Sequence, residues 1–174
     1  MIRTASELVQ LYPENRFYTY LLGRGYYTAK QYQRCLDTLR PLVEQRYAWS
    51  WTYVLCARSA AMLGDSATAQ RAFERGFEVA HEDPELAYAY VRFLRARGDQ
   101  TGVRAVINKA LASPTLAESP AGEGELRLEL AKDLAIRGDA SRARLELRRA
   151  VSLIPRADEA RSEADSLLNR LGAK

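Results

Sequence analysis

Apolar and small residues recur along this chain with a helical step and a much longer period. Cys35, Leu39 and Leu42 stand at offsets of zero, four and seven. The same trio returns as Ala69, Phe73 and Gly76, as Val103, Ile107 and Ala110, and as Ala143, Leu147 and Ala150. Offsets of four and seven share one face of an α-helix, so each trio predicts a buried helical stripe. A second apolar stretch precedes each trio: Leu22-Gly23 with Tyr26, Cys56-Ala57 with Ala60, Tyr90-Val91 with Leu94, and Leu130-Ala131 with Leu134. Small residues in these pairs let two helices approach closely. Between the stretches lie Gly64-Asp65, Gly98-Asp99 and Gly138-Asp139. A glycine just past a helix takes the left-handed conformation cheaply. The aspartate after it caps the next helix by accepting from free N–H groups. The predicted unit is helix, tight turn, helix, and the predicted fold class is all-α.

The first three trios are 34 residues apart, and the fourth follows after 40. A fixed period of this length marks a repeat architecture. In this register the chain resembles the tetratricopeptide repeat family. Leu22, Gly23 and Tyr26 match the family's first-helix signature. Ala69 and Phe73 match its second helix, as do Ala143, Ala150 and Pro155 in the last unit. The resemblance covers nearly the whole chain and implies a right-handed α-solenoid of stacked antiparallel helix pairs. It divides the sequence into repeats at 16–49, 50–83, 84–117 and 124–157. The six residues 118–123 read as a loop insertion, because Pro114, Pro120, Gly122 and Gly124 crowd around them. Two departures stand out: Lys30 occupies the turn-glycine position, and Pro41 lies inside a second helix, where it removes a backbone donor and is expected to bend the helix.

The ends read differently. Residues 1–15 resemble the second helix of a unit whose first helix is absent. Half a unit leaves apolar surface uncovered, so the pattern suggests a segment of a longer protein. Residues 158–174 carry Ala160, Ala164, Leu167, Leu168 and Leu171 on one face, as expected of a helix capping a solenoid.

Composition narrows the function classes. The 174 residues carry a net charge of +4, two cysteines and one histidine. Those cysteines and that histidine make neither a disulfide framework nor a zinc site, so no metal or cofactor is expected. No stretch nears 18 uncharged apolar residues, so no membrane insertion by this segment is expected. Positioned acid, base and nucleophile groups are also missing. His81 lies in an inter-unit turn, Cys35 and Cys56 occupy core positions, and Gly23-Arg24-Gly25 sits inside a helix rather than after a strand. The chain therefore reads as non-enzymatic, with no catalytic residue.

The resemblance implies that a concave surface, lined mainly by the first helices, takes a partner. Its groove positions fall on Phe17, Tyr20, Arg24, Tyr27 and Thr28, then Trp51, Val54, Arg58, Ala61 and Met62. In the third unit they fall on Glu85, Tyr88, Arg92, Arg95 and Ala96, and in the fourth on Glu125, Leu128, Lys132, Ala135 and Ile136. The ninth position of every unit is basic: Arg24, Arg58, Arg92 and Lys132. Arginine grips carboxylates with paired hydrogen bonds, and aromatics with arginine are enriched at binding hot spots. The expected partner is a protein or peptide segment with acidic and apolar side chains. The family's carboxylate clamp needs an asparagine beside the basic residues, and this ladder has none.

Aromatics crowd the front. Eleven of sixteen precede residue 54, with Tyr47, Trp49, Trp51 and Tyr53 at the first junction between units. Homo-oligomerisation through the open N-terminal half-unit or that aromatic junction is the second reading. Nucleic-acid binding is a third, which the mild charge argues against. The alanine-, arginine- and leucine-rich helices suggest a bacterial source. The expected setting is the cytoplasm, or a soluble domain of a membrane-associated envelope, exopolysaccharide or secretion protein.

Overall fold

A computed structural model describes residues 1–172, in which ten α-helices and one short 3-10 helix alternate with tight turns. They divide into two compact units, residues 1–80 and residues 81 onward.

The first unit holds α1 (Ile2–Leu11), α2 (Arg16–Thr28), α3 (Tyr32–Glu44), α4 (Ser50–Met62) and α5 (Ser66–Val79). Each helix packs against the next, and α2 with α4 and α3 with α5 also touch. Helix α4 lies centrally, and its buried residues Thr52–Ala57, Ser59 and Ala60 occupy nearly every side. Burial all round explains why this helix lacks a clear apolar stripe. Helix α3 continues through Pro41 to Glu44. Gly23 sits directly under Leu39, which any side chain at that position would meet.

The second unit holds α6 (Pro84–Ala96), α7 (Gln100–Leu111), the 3-10 helix Pro114–Glu118, α8 (Pro120–Ile136), α9 (Ala140–Leu153) and α10 (Glu159–Gly172). Helix α8 packs on α6, α7, α9 and α10. Ala160 and Ala164 of α10 are buried, and Leu167, Leu168 and Leu171 pack against the same core, which includes Leu128, Leu147 and Ile154. The end helix expected over 158–174 is thus present from Glu159 to Gly172, and residues 173–174 lie outside the described residues.

All twelve stripe positions from Cys35 to Ala150 are buried. The turns are also as expected. Gly64, Gly98 and Gly138 have φ of 80°, 76° and 82°. The following Asp65, Asp99 and Asp139 accept from the backbone N–H of Thr68, Gly102 and Arg142. At each turn the residue after the glycine donates to the carbonyl five residues back, as Asp65 does to Ala60, closing a Schellman motif. Bonds from Thr68 hold the Asp65 carboxyl below its ordinary range.

One expectation is corrected. Residues 118–123 are not a loop: the chain is helical through Glu118 and again from Pro120. Pro120 stands in the first turn, where its fixed φ suits a helix start and its missing N–H costs nothing. Gly122 and Gly124 are buried, with Pro84 and Ile154 too close to admit a side chain. These glycines serve close packing rather than a turn.

Lys30 fills the glycine position of the first turn at φ 57°, and Gln31 after it forms no side-chain cap. A left-handed non-glycine residue costs about 1 kcal/mol, and a missing cap costs about as much. The double change Lys30→Gly/Gln31→Asp should therefore raise unfolding stability by about 1–2 kcal/mol, read as a higher urea midpoint at unchanged slope. An unchanged or lower midpoint would refute this account of the turn.

Candidate functional site

In the first unit the expected groove residues lie on α2 and α4. Phe17, Tyr20, Arg24 and Tyr27 share one side of α2 at offsets of three, seven and ten, and Trp51, Arg58 and Met62 share one side of α4. Phe17, Arg24 and Met62 are exposed, whereas Tyr27, Trp51 and Arg58 are half-buried. Tyr20 and Val54 are buried at 5% and 1% exposure, so these two support the surface instead of lining it. The Arg58 guanidinium lies over the Trp51 ring at 6.0 Å from its centroid. Neither Arg24 nor Arg58 has a carboxylate within 4.0 Å among the described residues.

Trp49 joins this surface. Its ring centroid is 5.8 Å from both Phe17 and Tyr20, which are 5.8 Å from each other, and it is 45% exposed. The three rings form an amphipathic platform beside Arg24 on the same helix pair. The groove positions implied by the resemblance missed Trp49, because it is the N-cap of α4 rather than a position within it. The signal available was the density of aromatics from 47 to 53.

The second unit carries a different charge pattern. Tyr88, Arg92 and Arg95 lie on α6, and Lys132 lies on α8. Arg92 is exposed and stacks over Tyr88 at 5.7 Å. Arg95 bonds the Glu129 carboxylate at 2.7 Å and its carbonyl at 3.1 Å. Lys132 pairs with Glu129 at 2.6 Å and Glu163 at 2.8 Å. The ladder expected to be uniformly basic is therefore neutralised at Lys132, and the neighbouring groove residue Arg95 is neutralised with it. Glu129, only 1% exposed, is the residue that position-by-position reading missed. It lies off the groove positions on α8, and only packing brings it to Arg95.

A concavity of about 590 Å³ opens between α6, α8 and α10. Arg92 and Tyr88 meet Glu125, Asp158, Glu159 and Glu163 there. Burial, then the neighbouring charges of Asp158 and Glu85, push the Glu125 carboxyl up to about 7 against the pull of Arg92. With Glu163 paired to Lys132 and Glu125 partly protonated near neutrality, Asp158 and Glu159 remain to face Arg92, which leaves this surface neutral to mildly acidic. Among the described residues no carboxylate, histidine or cysteine group gathers closely enough to hold a metal ion. Elsewhere, Cys35 and Cys56 are free and buried, and no helix among the described residues is long and apolar enough to cross a membrane.

No protein-family model matches the chain. No curated protein matches it either. A crystal structure described as a thermophilic tetratricopeptide-repeat protein of Thermus thermophilus is similar over 97% of this chain and 89% of that one, with a TM-score of 0.69 at 17% identity. The fold is accordingly the tetratricopeptide-repeat fold, all-α and built of consecutive helix pairs.

Two outcomes follow from the second unit. Glu129→Ala removes the buried carboxylate that Arg95 and Lys132 share, and should cost about 2–3 kcal/mol in urea unfolding; a cost below about 0.5 kcal/mol would show the pairs to be idle. Glu125 binds its proton more tightly folded than unfolded, so its contribution is complete below pH 4.5 and is lost as pH rises through about 7. The melting temperature of Glu125→Gln relative to wild type should therefore climb between pH 4.5 and pH 8, and a flat difference would contradict the raised value.

Proposed function

We propose that this chain is a non-enzymatic protein-interaction scaffold, and that the α2–α4 face of its first unit binds a protein or peptide segment bearing acidic and apolar side chains. The observation that carries this reading is the pairing of Arg24 and Arg58, without carboxylate partners within 4.0 Å among the described residues, with the exposed rings of Phe17 and Trp49. Charge-assisted bonds to arginine fix where an acidic side chain sits. Aromatic rings supply area to cover an apolar one at low entropic cost. The tetratricopeptide-repeat fold supports a binding role over a catalytic one, because no constellation of acid, base and nucleophile accompanies the face.

The Arg92–Lys132 half of the expected ladder does not strengthen this reading. With Glu129 and Glu163 satisfying Arg95 and Lys132, the second unit favours a cationic or neutral part of a partner. A setting in a bacterial envelope, exopolysaccharide or secretion assembly rests on the sequence resemblance alone.

Self-association is the second reading. Leu11 and Tyr12, at the end of α1, are 71% and 56% exposed, and Tyr12 with Phe17 and Tyr47 borders an open concavity of about 650 Å³. Exposed aromatic and aliphatic side chains around such a concavity, rimmed by the polar Glu14, Asn15 and Arg16, support an association surface. Sedimentation velocity over a range of concentrations distinguishes the two readings.

The direct test uses a fluorescent peptide alternating Glu with Leu, and its Lys-for-Glu analogue as control. Wild type should bind the acidic peptide with salt-sensitive affinity and ignore the analogue. Arg24→Glu/Arg58→Glu should weaken binding about tenfold or more while helical circular dichroism stays unchanged. Unchanged affinity in that variant would place recognition elsewhere.

A further inference from the structure

Helices α3 and α5 of the first unit enclose a second cavity, of about 390 Å³, floored by α4. The floor is apolar: Leu36, Val43, Cys56 and Ala72 line it, and each is buried. Burial pushes the Cys56 thiol up to about 12, so it adds no charge. The rim carries three guanidinium groups, Arg40 from α3 and Arg71 and Arg75 from α5. Glu44 is the one carboxylate in the lining. The volume is that of a small-ligand pocket, and the lining is amphipathic, with four apolar residues beneath three guanidinium groups, a carboxylate and a threonine hydroxyl.

The rim charges lack full local compensation. Arg71 donates to the Thr68 hydroxyl at 2.8 Å, which holds its guanidinium at the rim without neutralising it. Arg40 stands 3.7 Å from Asp37, an exposed contact at the edge of ion-pair range, and Asp37 already accepts from Gln33 at 3.0 Å. Arg75 has no carboxylate within 4.0 Å among the described residues. The other acidic residues of α5 look away: Glu74 accepts from Gln70 at 2.8 Å, and Glu78 pairs with Arg46 at 3.0 Å. Arg71 and Arg75, one helical turn apart, repel each other unless an anion lies between them. Guanidinium forks match planar oxyanions with two parallel bonds.

We propose that this cavity is a binding site for a carboxylate carried on a short apolar body, with the oxyanion held by Arg71, Arg75 and Arg40 and the apolar part seated on the floor around Cys56. The site is separate from the α2–α4 face and shares no residue with it. Two sources offer this chemistry, a free organic acid and the C-terminal residue of a polypeptide.

The test titrates the full chain with hexanoate, with hexylammonium, and with a pentapeptide ending in Leu-Leu as the free acid and as the amide, following backbone amide resonances. Hexanoate should shift residues of α3 and α5 saturably and hexylammonium should not. Arg71→Gln/Arg75→Gln should weaken hexanoate about tenfold or more. All three arginines are exposed, so helical circular dichroism should be unaffected, and Arg40→Gln provides an independent second variant. Tighter binding of the free-acid peptide than of hexanoate identifies a chain terminus as the source. Tighter binding of hexanoate identifies a free acid. Either result supports the site. Equal shifts from hexanoate and hexylammonium, or affinity retained in both variants, would overturn it, while the groove reading would stand or fall separately on Arg24 and Arg58.

Discussion

No helix in this protein can bury its apolar stripe by itself, and that constraint shapes the rest. Helices of 10 to 17 residues are marginal alone in water. Each becomes stable only where neighbours within its own unit cover it. Close approach therefore matters inside each unit, and small residues stand at the contacts: Gly23 beneath Leu39, Cys56 and Ala57 within α4, Gly122 against Pro84, and Gly124 against Ile154. The same need fixes the turns. Three glycines at positive φ and three aspartate caps reverse the chain within a few residues, so that successive helices meet along their stripes.

The period and stripes were legible in the sequence because they depend on spacing alone. Cys35, Ala69, Val103 and Ala143 are all small, and their register, not their identity, places them in the core. The segment 118–123 was misread for an equally physical reason. Proline and glycine serve turns and helix starts alike, and only the proximity of Pro84 and Ile154 shows that Gly122 and Gly124 pack inside a helix. Pattern could not make that distinction, since both partners are remote in sequence.

The binding surface was less legible than the fold. The groove positions gave the side of each helix, and Arg24, Arg58 and Phe17 do reach solvent. They did not give charge compensation, which depends on residues lying between those positions. Glu129 is the clearest case: a buried carboxylate on α8 consumes Arg95 from α6 and Lys132 from its own helix, and turns an expected basic surface into a neutral or acidic one. Trp49 escaped for the complementary reason, because it sits at a helix boundary and contributes to the α2 face from outside the repeat pattern.

The crowding of aromatic residues into the first unit also has an optical meaning. The chain's two tryptophans, Trp49 and Trp51, both belong to that unit, whereas helices fill both units. Tryptophan emission therefore reports on residues 1–80, while far-ultraviolet dichroism averages over the whole chain. Repeat proteins can lose cooperativity between neighbouring segments. In this one, the two signals compared in a single denaturation experiment measure directly whether its halves unfold together, with no label attached.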